Sequence, residues 1–146
     1  MYQSTNLSTE NAGITFGSLG WRDYIVELRL RVLEIPNTYS NIGIGFRQAA
    51  NNGHSYTFYF SPSGHATLTD TNGDVILEER NIAFPLNKWN TYQIKVQGNT
   101  LTIYIDGKEV MSSIDTTYPY YTGNIVVWGD AGSQFQVDDI KVTSIP

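Results

Sequence analysis

Asp23-Tyr24-Ile25-Val26-Glu27-Leu28-Arg29-Leu30-Arg31-Val32 alternates without a slip: Tyr24, Val26, Leu28, Leu30 and Val32 fall on one side, Ile25, Glu27, Arg29 and Arg31 on the other. Successive side chains of a β-strand point to opposite faces, so a period of two reads as a long strand with one face in a core and the other in water. Such a face needs a second sheet to cover it.

Working outward, runs of the same kind occur at Asn41–Gln48, Ser55–Phe60, His65–Thr69, Val75–Glu79, Thr91–Val96, Leu101–Asp106, Asn124–Asp130 and Phe135–Thr143. Nine or more strands with no convincing helix predict an antiparallel sandwich or barrel. Asn72-Gly73, Gly98-Asn99 and Asp106-Gly107 supply the positive φ angles of tight hairpins, which makes Thr91–Val110 a meander. Pro36, Pro62, Pro85 and Pro119 fall between runs, where a missing N–H costs no ladder bond. Residues 1–12 are Ser/Thr/Asn-rich and aperiodic, either a flexible segment or a first strand, and 13–146 form one domain.

A chain of 146 residues is long enough to bury a core without disulfides or metals. Ten Tyr, six Phe and three Trp are spread along it, with no apolar run of membrane-spanning length. Fourteen acidic against nine basic residues give a charge of -5, the wrong sign for gripping phosphates or anionic lipid, so nucleic acid and membrane insertion are set aside as partners. The lack of Cys removes thiol chemistry and leaves the redox compartment undetermined. Met1–Asn6 does not have the pattern of a signal peptide, which for a secreted protein predicts a module of a larger multidomain precursor.

Five segments, in order, carry a resemblance: Trp21-Arg22-Asp23-Tyr24-Ile25-Val26-Glu27, Ile42-Gly43-Ile44-Gly45-Phe46-Arg47, Trp89-Asn90-Thr91-Tyr92-Gln93-Ile94-Lys95-Val96, Ile103-Tyr104-Ile105-Asp106-Gly107 and Phe135-Gln136-Val137-Asp138-Asp139-Ile140-Lys141-Val142. Together they resemble the laminin-G-like, concanavalin A-like jelly rolls, which include levan-type carbohydrate-binding modules and the keto-disaccharide hydrolase-like domain. The resemblance implies an all-β, antiparallel two-sheet jelly-roll sandwich, extracellular or at the cell surface. It also implies that Arg47, which ends the Gly-x-Gly-Phe-Arg strand, lies in a ligand site. Fold transfers better than function, and such domains also serve as spacers and adhesion modules.

If Ile42, Ile44 and Phe46 face the core, then Gly43, Gly45 and Arg47 face outward and open a trough beside a guanidinium; alternatively the glycines relieve crowding and Arg47 pairs with Glu27. The same parity turns Ser55, Thr57 and Tyr59 outward, and Val126, Trp128 and Asp130 with them. Sugars stack C–H faces on aromatic rings and bond hydroxyls to polar groups, so Arg47, Trp128, Glu27, Tyr59 and Asp130 are the candidate carbohydrate-binding set. Tyr120, in Tyr118-Pro119-Tyr120-Tyr121, joins it as a loop contact, against the alternative that it staples its loop to the sandwich. Trp128 has its own alternative, as a plug at the sandwich edge.

No cofactor is required. Asp138 and Asp139 are the metal candidates, as ligands of a structural calcium, against a bulge carrying two solvated carboxylates. Asp70-Thr71-Asn72-Gly73-Asp74 has only part of a calcium loop and reads as a hairpin turn. His54 and His65 fit no zinc spacing and read as surface residues. Glu78 and Glu79 are adjacent and point to opposite faces, so the paired carboxylates of a glycosidase are not visible. The sequence therefore predicts a non-catalytic carbohydrate-binding module for a polysaccharide or oligosaccharide. A structural or adhesion domain is the first rival, and a glycan hydrolase or lyase the second.

Overall fold

The computed structural model describes residues 2–5, 12–50, 53–70, 75–117 and 119–146, with side chains from Gly13 onward. Twelve strands lie among them: β1 (Tyr2–Thr5), β2 (Ala12–Phe16), β3 (Tyr24–Glu34), β4 (Ile42–Gln48), β5 (Tyr56–Phe60), β6 (His65–Asp70), β7 (Val75–Asn81), β8 (Asn90–Gln97), β9 (Thr100–Ile105), β10 (Lys108–Ile114), β11 (Asn124–Gly129) and β12 (Gln134–Ser144). They form two six-stranded sheets, β1-β12-β3-β8-β9-β10 and β2-β11-β4-β5-β6-β7. Every neighbouring pair is antiparallel. The first and last strands of the chain meet in each sheet, since β1 pairs β12 and β2 pairs β11. Of the sandwich or barrel that the alternation predicts, this is the sandwich, with the two-sheet jelly-roll arrangement that the resemblance implies.

The predicted inward set of β3 is buried, from Tyr24 to Val32. It packs against Ile42, Ile44 and Phe46 of β4 and Phe58 and Phe60 of β5 in one continuous core. Phe60 from the second sheet stacks on Tyr92 from the first, with centroids 5.6 Å apart and planes 4° off parallel. Across the edge formed by β7 and β10, the Ser112 N–H donates to Glu78 at 2.9 Å and ties the two sheets together. In the meander, Gly98 (φ +56°) opens one hairpin, and Asp106 (φ +50°) with Gly107 (φ +80°) form the other. Asn72-Gly73, and with it most of the calcium-like stretch 70–74, lies outside the described residues.

Candidate functional site

Strand β4 decides which of the expected residues reach a common surface. Through Phe46 the alternation holds, but a register shift against β11 between Asn124 and Val126 interrupts it at the end of the strand, where Arg47 takes a left-handed backbone with φ +50°. The side chain is thereby turned inward, and Arg47 is completely buried. This corrects the outward orientation read from parity. The trough expected over the two glycines is corrected as well. A Cβ on Gly43 would come within 2.3 Å of the Trp128 ring, and one on Gly45 within 2.6 Å of Val126, so side chains from β11 fill that space.

Arg47 uses all five of its N–H groups inside the protein. Its Nε and Nη2 donate to the Arg22 carbonyl, Nη1 to the carbonyls of Gly98 (2.5 Å) and Tyr120 (2.9 Å), and Nη2 also to Asp23 Oδ1 at 3.0 Å. Its own backbone N–H donates to the Tyr24 hydroxyl at 3.1 Å. Burial pulls the guanidinium down from its ordinary value, and Tyr24 and Asp23 oppose that shift. The partner is thus Asp23 and not Glu27, and Arg47 clasps three loops at one end of the sandwich. Burial also pushes the Tyr24 phenol up to about 12, against a smaller opposing effect from Arg47.

Tyr120 belongs to the same end. Its ring stacks on His54 at 3.9 Å, and its N–H donates to the Tyr56 hydroxyl, which in turn donates to the buried Asp115 at 2.7 Å. Burial and the Asp115 carboxylate both raise the Tyr56 phenol above its ordinary value. Tyr118 lies outside the described residues.

The outer face of the second sheet gathers two of the candidates. In one cross-strand row, Trp128 on β11 faces Gly43 on β4, Gly43 faces Tyr59 on β5, Tyr59 faces Thr67 on β6, and Thr67 faces Glu79 on β7. Without a side chain at Gly43, the indole lies across β4 to within 6.5 Å of the Tyr59 ring, their planes inclined by 46°. Both rings stay partly exposed. Beyond Tyr59 the Thr67 hydroxyl is buried without a partner among the described residues, and Glu79 pairs with His65 at 3.3 Å. The adjoining row of Val126, Gly45, Thr57 and Thr69 keeps this face small and nearly uncharged.

The remaining candidates fall elsewhere. Glu27 is on the outer face of the first sheet, opposite Gln93 and Lys141, so the fold separates it from Trp128 and Tyr59. Asp130 follows β11 and accepts the Asn41 N–H at 2.8 Å, holding the start of β4. Asp138 and Asp139 stand in a bulge of β12, Asp139 at φ +52°, with Asp139 bonded to Arg29 at 2.9 Å and Asp138 accepting the Asp139 N–H. Among the described residues no cluster of three His, Cys, Asp or Glu comes together.

The family model of the 3-keto-alpha-glucoside-1,2-lyase-like domain matches residues 3–143. Among solved structures, the carbohydrate-binding module CBM66 from Bacillus subtilis superposes with a TM-score of 0.76 at 14% identity, over 94% of this chain and 84% of that one. A Bacillus subtilis protein described as having a galectin-like fold gives 0.83 at 12% identity, over 97% and 81%. The Caenorhabditis elegans galectin LEC-6 gives 0.63 at 16%, over 97% and 95%. A sialidase is matched over 97% of this chain and 15% of its own, with a TM-score of 0.70 at 13% identity. No curated protein matches.

Proposed function

The chain belongs to the 3-keto-alpha-glucoside-1,2-lyase-like domain family, and from that membership, its jelly-roll fold and its aromatic face we propose that it is a non-catalytic carbohydrate-binding module. The observation that carries this reading is the pair Trp128 and Tyr59, laid side by side over a glycine on an otherwise small-residue sheet face. The two rings receive the C–H face of a sugar, while the half-exposed Glu79 and His65 meet its hydroxyls. Arg47 and Tyr120 act by holding the loops at the far end of β4, and Glu27 plays no part in this face. The module works outside the cell as part of a larger protein, as the sialidase match supports.

A glycan-array screen of the isolated domain tests the proposal. Binding to at least one glycan class supports it, and a blank array argues for the adhesion role. The family membership favours a second reading, a lyase acting on 3-keto-glucosides. Release of a free sugar from such a substrate, abolished by Glu79→Gln, would replace the binding role with a catalytic one.

A further inference from the structure

At the Arg47 end of the sandwich, a cavity of about 250 Å³ opens between the segment leading into β3 and the last residues of β12. Trp21, Arg22, Asp23, Tyr24, Val142 and Ser144 line it. Its volume lies just under the roughly 300–1,000 Å³ of pockets for drug-sized ligands, enough for one sugar ring. It lies at the opposite end of β4 from Gly43 and Trp128.

The walls are held rigidly. The Trp21 ring rests against Gly17, where a Cβ would come within 2.5 Å of it, and meets Tyr24 edge-on at 6.0 Å. The Trp21 carbonyl accepts the Gly123 N–H at 3.1 Å. Asp23 is fixed through Oδ1, which accepts from Arg47 and from the Gly98 N–H, both at 3.0 Å. Its Oδ2 has no hydrogen-bond partner among the described residues, and the side chain is 35% exposed. Arg22 is exposed, and its guanidinium has no partner among the described residues.

The charge balance selects the ligand. Asp23 is offset by Arg47, its ion-pair partner, which leaves the Arg22 cation unbalanced at the cavity wall of a protein whose net charge is -5. A neutral sugar would leave that cation with water, whereas a carboxylate meets a guanidinium in two parallel hydrogen bonds. We propose that this cavity is a second saccharide site, separate from the aromatic sheet face, that takes one ring of a carboxylated sugar of the uronic acid class. The carboxylate sits on Arg22, a ring hydroxyl donates to Asp23 Oδ2, and a C–H face lies against Trp21.

The three tryptophans give three indole N–H signals, so ¹H–¹⁵N spectra read the site directly. Titration with sodium glucuronate is compared with glucose at matched ionic strength. The Trp21 signal should move saturably with glucuronate and stay in place with glucose. Arg22→Gln, which removes only an exposed guanidinium and keeps the backbone carbonyl that Arg47 uses, should weaken glucuronate binding about tenfold or more without changing the melting temperature. A Trp21 signal that never moves, that answers glucose equally, or that is unaffected by Arg22→Gln overturns the inference. The Trp128 signal reports on the sheet face in the same spectra, so either site can fail without the other.

Discussion

On the outer face of the first sheet, Arg29 binds Asp139 and Arg31 grips Gln136 through Nε and Nη2. The two guanidiniums also lie over Trp89, at 4.9 and 5.0 Å from the ring. On the outer face of the second sheet, the corresponding rows hold Gly43, Gly45, Thr57, Thr67 and Thr69 around Trp128 and Tyr59. Both faces arise from the same alternation, yet on the first the tryptophan ring is already covered by two arginines that are themselves held within the sheet. The second keeps a partly exposed aromatic pair available to a ligand. An exposed Trp therefore signals a site only when its own neighbours have not already occupied its ring.

The comparison is broken most severely at the buried end that supports both faces. Arg47→Ala strands the Asp23 carboxylate and the Arg22, Gly98 and Tyr120 carbonyls, and a buried pair broken on one side costs about 3–5 kcal/mol. Chemical denaturation should show a loss of that size, and Arg47→Lys should recover little of it, because an ammonium cannot supply the planar fork. A loss under 1 kcal/mol would mean that the clasp is not structural.

A smaller effect appears with alkali. The Tyr24 phenol titrates at about 12 in the folded protein against about 10 in an unfolded chain. A group whose folded value is raised contributes stability that is fully present below pH 10 and lost as the pH climbs from 10 to 12, here on the order of 2–3 kcal/mol. Urea titrations at pH 8 and pH 11 should differ in that direction, and Tyr24→Phe should reduce the difference, leaving the share contributed by the raised Tyr56 and Tyr92 phenols. The smallest effect belongs to the first face. Trp89→Ala removes two exposed cation–π contacts and should cost roughly 1–2 kcal/mol in thermal unfolding while leaving glycan binding untouched.

The antiparallel all-β class was legible because β3 alternates over its whole length and turn residues stand between the later runs, features that need no knowledge of the distant chain; the choice of a two-sheet jelly roll over a barrel came from the order of the five family-like segments. The outward parity of Tyr59 and Trp128 was legible from alternation in the same way. Arg47 was not, because the bulge that inverts it depends on how β11 lies against β4, a pairing between segments far apart in sequence. Glu27 failed differently. Its outward parity is right, but alternation does not say to which of two sheets a strand belongs, and β3 and β4 go to opposite sheets. The close approach of Gly123 to the Arg47–Gln48 backbone, and the role of Asp23 beside Arg47, were hidden likewise, as properties of contact and not of local pattern.

Affinity electrophoresis of Trp128→Ala and Trp89→Ala through gels containing the polysaccharide identified on the array tests directly which face binds. Loss of a stacked ring is worth on the order of 1–3 kcal/mol, so Trp128→Ala should bind about tenfold more weakly or worse, with its melting temperature within a few degrees of the parent, while Trp89→Ala is retarded like the parent. Equal retardation of Trp128→Ala and the parent, or loss of binding in Trp89→Ala alone, would contradict the assignment of the glycan to the second sheet.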